Sequence, residues 1–157
     1  MFGIAMLKNK GDFNVSTDLK NRIDEYKLAW NSHDVNKIVS FFVDDGIYED
    51  VAARIVKKGK RELTAYFDAM FVDYPDFKME VKSSFGSDEW MCFEIISSGT
   101  HIHSTLTKSA TPATGKHFSV RAASIFQFRN GKIGRQSEYY NMMTLLEQVG
   151  LIPGQPK

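Results

Sequence analysis

From Val120 onward the chain alternates apolar and charged side chains in a pattern that predicts a strand, a tight turn and a second strand. Val120, Ala122, Ser124, Phe126 and Phe128 share one face, interleaved with Arg121, Ala123, Ile125, Gln127 and Arg129, up to Asn130-Gly131. Asn-Gly adopts the positive φ values that a two-residue hairpin turn requires. Lys132 to Tyr140 then resumes the extended pattern, and Met142, Leu145, Leu146 and Val149 recur at helical spacing until Gly150 and Pro153. A hairpin apolar on both faces needs helices over one face, and a second copy of itself is a natural cover for the other.

Earlier in the chain the period is helical. Leu19, Ile23, Tyr26 and Trp30 make an apolar stripe behind Ser16, Thr17 or Asp18, any of which can cap a first helix. Asn31-Ser32-His33-Asp34 breaks that helix, and Asp34 is placed to cap a second over Val35 to Val43. Asp45-Gly46 turns the chain into a short strand, Ile47 to Val51. Lys57-Lys58-Gly59-Lys60 reads as a solvated basic turn, and a third helix spans about Arg61 to Asp73, with Leu63, Tyr66, Phe67, Met70 and Phe71 on one side. Tyr74-Pro75-Asp76 stops it, because proline lacks a donor and restricts the residue before it. Phe77 to Lys82 alternates strictly, and Trp90 to Ser104 reads as one long strand. Helices first and antiparallel strands later imply an α+β fold, with three N-terminal-half helices over one face of a curved sheet. Residues 1–15 show no sustained period and read as a flexible arm, leaving one domain over 16–157.

Composition narrows the function classes. At 157 residues and 43% hydrophobic, the chain can bury a substantial core. Twenty basic and nineteen acidic side chains nearly cancel, and the Lys57 to Arg61 cluster lacks interleaved aromatics, so neither nucleic acid nor an anionic membrane is an expected partner. The single cysteine, Cys92, excludes an intrachain disulfide. It fits a reducing compartment, and Phe2 to Leu7 is too short for a signal sequence, so a soluble cytoplasmic protein is expected. There is no phosphate-binding loop or dinucleotide fingerprint, and no cofactor is expected.

The landmarks taken in order resemble a known family. Ala29-Trp30-Asn31-Ser32-His33-Asp34, Ile38 to Phe42, Asp44-Asp45-Gly46 and Tyr48-Glu49-Asp50 are similar to the opening of the SnoaL-like polyketide cyclases. Tyr74-Pro75-Asp76-Phe77, Ser98-Gly99-Thr100-His101, Pro112 to Lys116, Gly131-Lys132-Ile133 and Leu145 to Gly150 follow in the family's order, so the likeness spans roughly Asp18 to Pro153. It implies the cone-shaped fold of the nuclear transport factor 2-like superfamily, with one deep apolar pocket for an apolar small molecule and a homodimer through the outer sheet face. It also implies an aspartate base near the end of the last strand, which takes a proton from a carbon beside a carbonyl so that the enolate can close a ring. Aligned on Leu145 to Gly150, that position is Asn141, and an amide cannot serve as the base.

Other side chains can supply the chemistry. His101 lies mid-strand, and a regular strand would put His103 on the same face, where imidazoles can move protons or hold an oxygen. Asp50 and Glu49 share the first short strand, where one of them faces inward; Asp50 is the candidate acid/base beside His101 and Asn141. Glu138 has the opposite strand parity from Asn141, and nothing in the sequence fixes it beside the histidines as a metal ligand, so no metal is expected. Tyr48 offers a phenol, and Trp30, Phe71, Trp90 and Phe126 are candidate pocket walls; together with His103 and Glu138 they form the expected substrate-binding set. His33 reads as structural. Three functions fit these residues: proton transfer on an apolar carbonyl or ester substrate in the manner of a polyketide cyclase or isomerase, binding of an apolar molecule without turnover, and a dimeric protein-interaction module.

Overall fold

A computed structural model describes residues 17–106 and 112–152. The expected N-terminal arm, Ser16, Pro153 and residues 108–111 of the loop before the hairpin lie outside the described residues. Six strands form one curved, unclosed sheet in the order β2-β1-β6-β5-β4-β3. They are β1 (Phe42–Asp50), β2 (Ile55–Lys58), β3 (Lys78–Gly86), β4 (Trp90–Thr100), β5 (His117–Arg129) and β6 (Lys132–Tyr140). The helices are α1 (Thr17–Asn31), α2 (Val35–Ser40), α3 (Gly59–Asp73) and α4 (Met142–Gln148), so the fold is the expected α+β arrangement. Neighbouring strands are antiparallel except β1 and β6, which pair in parallel.

The local chemistry explains these elements. Tyr26, Ala29 and Trp30 are the buried stripe of α1, which ends where His33 adopts a positive φ of 56°. The Asp34 carboxylate accepts from Lys37 N at 2.9 Å and caps α2. That helix is shorter than its sequence pattern suggests: it stops at Ser40, and Phe42 and Val43 are recruited to β1 by pairing with the central hairpin. The basic stretch at Lys57 is likewise ordered, with Lys57 and Lys58 ending the edge strand β2 and Gly59, at φ 76°, opening α3. Asn130 and Gly131 have φ values of 51° and 70°, as the β5–β6 turn demands.

Two side-chain amides act as extra rungs between helices and sheet. Asn31 at the end of α1 donates to Met79 O and accepts from Met79 N, at 3.0 and 2.8 Å. Gln148 does the same from α4 to Ser119, accepting at 2.6 Å and donating at 3.1 Å. The second pair holds α4 across the open end of the sheet, where Met142, Leu145, Leu146 and Val149 close a cavity. Among the described residues no helix is long and apolar enough to cross a membrane.

Candidate functional site

The strand register builds a polar row into an apolar floor. Asp50 on β1 pairs with Glu138 on β6, and Glu138 pairs with Ser124 on β5. The next row holds Tyr48, Gln136 and Phe126. The row on the other side opposes Tyr140 to Ala122 and Ala122 to Ile95. Because β-strand side chains alternate, Gln136, Glu138 and Tyr140 all face the concave side. Above them lies a cavity of about 270 Å³, walled by Trp30, Met70, Met79, Phe118, Val120 and residues of α4.

Glu138 is a buried acid at the centre of the polar row. Ser124 Oγ donates to its carboxylate, 2.7 Å from each oxygen, and Gln136 Nε2 donates to Oε1 at 2.6 Å. Burial nevertheless pushes the carboxyl up to about 7, with the neighbouring Asp50 charge adding to the effect against those two donors. Asp50 has its own partners: Ala53 N donates to Oδ1 at 2.8 Å, and the Tyr140 hydroxyl donates to Oδ2 at 3.0 Å. Burial raises Asp50 above the ordinary carboxylate range as well, while these donors and the Tyr66 phenol hold it down. Two carboxyl groups on adjacent strands thus share one cavity with different sets of donors. Tyr66 and Tyr140 are themselves pushed upward, first by burial and then by the Asp50 charge, so both stay protonated and act as donors.

His101 occupies another part of the same cavity. Strand β4 ends at Thr100, and Asp73 turns the following segment inward. The Asp73 carboxylate accepts from Thr105 N and Thr105 Oγ1, both at 2.6 Å, and from Leu106 N at 2.9 Å, while Asp73 O accepts from Ile102 N at 2.9 Å. That turn sets Ser104 Oγ 2.8 Å from His101 Nε2, with Thr114 Oγ1 3.3 Å from Nδ1. His101 is buried and His103 is exposed, because the strand on which they would share a face has already ended. The two histidines therefore do not form a pair. Among the described residues no group of three or more His, Cys, Asp or Glu side chains is placed to hold a metal ion.

Of the sequence-predicted residues, Asp50, Glu138, His101, Tyr48 and Trp30 line the cavity. Asn141 does not: it is exposed at the end of β6, where its side chain accepts from Thr144 N at 3.2 Å and caps α4. Trp90 and His103 are exposed and lie away from the cavity. Phe71 stacks on His33 with ring centroids 4.3 Å apart, behind the Trp30 wall. Phe126 is buried one row below the carboxyl pair, against Tyr26 and Phe93, and lines a separate small crevice under α1. Arg121 pairs with Glu94 across β4 and β5. Ser124, Gln136, Tyr66 and Asp73 carry no site signal of their own in the sequence; the alternation of Gln136, Glu138 and Tyr140 on one strand face is the pattern that marks the polar side of β6. Asn141→Ala is expected to destabilise the fold by about 1 kcal/mol through loss of the cap, whereas Asn141→Asp leaves stability within about 0.5 kcal/mol and creates no turnover; denaturant melts and activity assays read both.

Known proteins agree with this architecture. AclR from Streptomyces galilaeus superposes with a TM-score of 0.72 at 22% identity, over 89% of this chain and 85% of that one. TsrD from Streptomyces laurentii gives 0.74 at 16% identity, over 88% and 100%. A Catenulispora acidiphila protein with a ketosteroid isomerase-like fold gives 0.70 at 18% identity, over 86% and 97%. At these identities the likeness establishes the fold alone. No curated protein matches the sequence significantly. The sequence itself matches the SnoaL-like polyketide cyclases over residues 20–149, most of its length, and supports an enzyme-like role on a small molecule. The chain belongs to the SnoaL-like polyketide cyclase family.

Proposed function

We propose that the cavity performs general acid–base proton transfer on an apolar substrate carrying a carbonyl or ester group, with Asp50 as base and Glu138 as acid. The observation that carries this reading is the pairing of Asp50 with Glu138 on adjacent strands, facing one apolar cavity through different hydrogen-bond donors. Two neighbouring carboxyl groups do not ionise together easily, and Glu138, which burial pushes up to about 7, is the one that keeps its proton near neutral pH. Asp50 then takes a proton from the carbon beside the carbonyl, the C–H electron pair moves to the carbonyl oxygen, and the Glu138 O–H stabilises that oxygen. In a cyclisation the enolate carbon attacks a second carbonyl, and the proton held by Asp50 passes to the new alkoxide. Both carboxyls return to their starting states. His101, already held by Ser104, is a hydrogen-bonding group for a second substrate oxygen.

The charge of the lining agrees with such a substrate, since no lysine or arginine side chain lines the cavity among the described residues. A free carboxylate would find acids there and no counter-charge. Dimerisation through the outer sheet face belongs to the same reading: Ile125 and Tyr139 leave apolar surface exposed there, and sedimentation of the purified protein tests it.

The test uses apolar 1,3-dicarbonyl esters in D2O, following exchange of the proton between the carbonyls by NMR. Exchange faster than in buffer, lost in Asp50→Asn, supports the acid–base reading. Binding without exchange would replace it by a ligand-binding role, which the full complement of protein partners on both carboxyls favours as the second reading.

A further inference from the structure

We infer that Tyr26 is a positioning residue for Glu138, acting through Gln136: by donating to one end of the Gln136 amide it decides which end meets the carboxyl. Tyr26 lies on α1, outside the carboxyl row, and its hydroxyl is 2.5 Å from Gln136 Oε1. The opposite end of that amide, Nε2, is 2.6 Å from Glu138 Oε1. A carbonyl oxygen only accepts and an NH2 only donates, so as placed the amide accepts from the phenol and donates to the carboxylate.

A phenol can accept as well as donate, so the orientation needs a further cause, and Trp30 supplies it. Its buried Nε1 approaches the Tyr26 oxygen without an aligned hydrogen bond and finds no other partner among the described residues. Were the amide reversed, its NH2 and the indole N–H would both face the phenol oxygen. The phenol hydrogen would then lack that acceptor, and the rings packed on Tyr26, Phe41 and Phe126, with centroids 5.3 and 5.8 Å from its own, offer no oxygen in its place. Leaving a buried donor without an acceptor costs about 1–3 kcal/mol, so the observed orientation wins.

The consequence falls on Glu138, and this part rests on the acid–base function proposed above. A carboxylate facing an N–H is favoured over a carboxylic acid, and the opposite holds for a carboxyl facing an amide oxygen. Gln136 therefore keeps the Glu138 proton exchangeable near neutral pH, where an unaided buried carboxyl would hold it more tightly. The other titratable groups facing Glu138 push the opposite way or stay neutral: Asp50 and Tyr48 on β1, Tyr66 on α3 and Tyr26 itself.

The test needs no substrate. Protein labelled with ¹³C at glutamate carboxyls is titrated from pH 5 to 9, with Glu138 assigned by its loss in Glu138→Gln. Tyr26→Phe is expected to raise the Glu138 midpoint by roughly one pH unit, and Gln136→Leu to raise it at least as much. The double variant should match Gln136→Leu alone, because Tyr26 acts only through the amide. In the unaltered protein, contacts between the Gln136 NH2 hydrogens and Ser124 in NOE spectra are expected, so the orientation is read even if a variant folds poorly. An unmoved midpoint in Tyr26→Phe, additive shifts in the double variant, or NH2 contacts to the Tyr26 ring would overturn the inference. Where exchange of substrate protons is also seen, the alkaline limb of its pH profile should move up with the midpoint in Tyr26→Phe. If no exchange occurs in any variant, the acid–base function fails while the titration still judges Tyr26.

Discussion

Asp50→Asn is expected to lower proton-transfer rates by 10²–10⁴-fold, the range lost when a positioned general base is removed, while the protein folds and still binds its ligand. The asparagine oxygen can keep accepting from Ala53 N, and the Tyr140 hydroxyl can rotate from donor to acceptor for the new NH2. The local turn after β1 therefore survives the exchange, and only the ability to take a proton is removed. The loss should appear in kcat with KM nearly unchanged, since the carboxylate contributes chiefly when the C–H bond breaks. A tenfold loss or less would assign the base elsewhere. His101→Gln is the informative control: it disturbs the Ser104 contact and the hold on a second oxygen, so its effect should be smaller and should fall on KM.

The contrast between Asp50 and Asn141 shows what sequence order could and could not reveal. Alternation along β5, the Asn130-Gly131 turn and the helical stripes of α1 and α3 each follow from a local period, and they were legible before any coordinates. Pairing between β1 and β6 was not, because the two segments lie far apart in the chain and a parallel register carries no turn to announce it. Yet that register is what sets Asp50 beside Glu138. The resemblance, aligned on Leu145 to Gly150, leads to Asn141, but β6 stops at Tyr140 and the following residue is needed as a helix cap. The same reasoning explains His103: its alternation with His101 assumed a strand that Asp73 has already pulled out of line. At Asn141 a local capping bond decides the side chain's place, and at His103 the tertiary bonds of Asp73 override a valid local pattern. Phe71 and Phe126 illustrate a different ambiguity, since a buried aromatic in a helix or strand can face a cavity or lie one layer behind it with the same spacing.

A carboxyl held protonated by burial leaves a mark on stability, and Glu138→Gln is where it should be largest. Glu138 moves from an ordinary 4.5 in the unfolded chain to about 7 in the folded one. The folded state therefore binds the proton more tightly. Its contribution is fully present below pH about 4.5 and is lost as pH rises through about 7, because unfolding releases a proton that folding must otherwise keep or strip in a dry site. Asp50, raised in the same direction by burial, adds to the slope. Glutamine has nearly the shape of a protonated glutamate and carries no charge to desolvate. Glu138→Gln should be close to neutral at pH 5 and stabilise the protein by about 2–3 kcal/mol at pH 8, read from urea unfolding with an unchanged m value. The gain would be accompanied by lost proton transfer, because the group that strains the fold above neutrality is the one whose O–H is assigned to stabilise the substrate oxygen. A variant equally stable at both pH values relative to the parent would mean that Glu138 titrates normally, and with it would go the division of labour between the two acids.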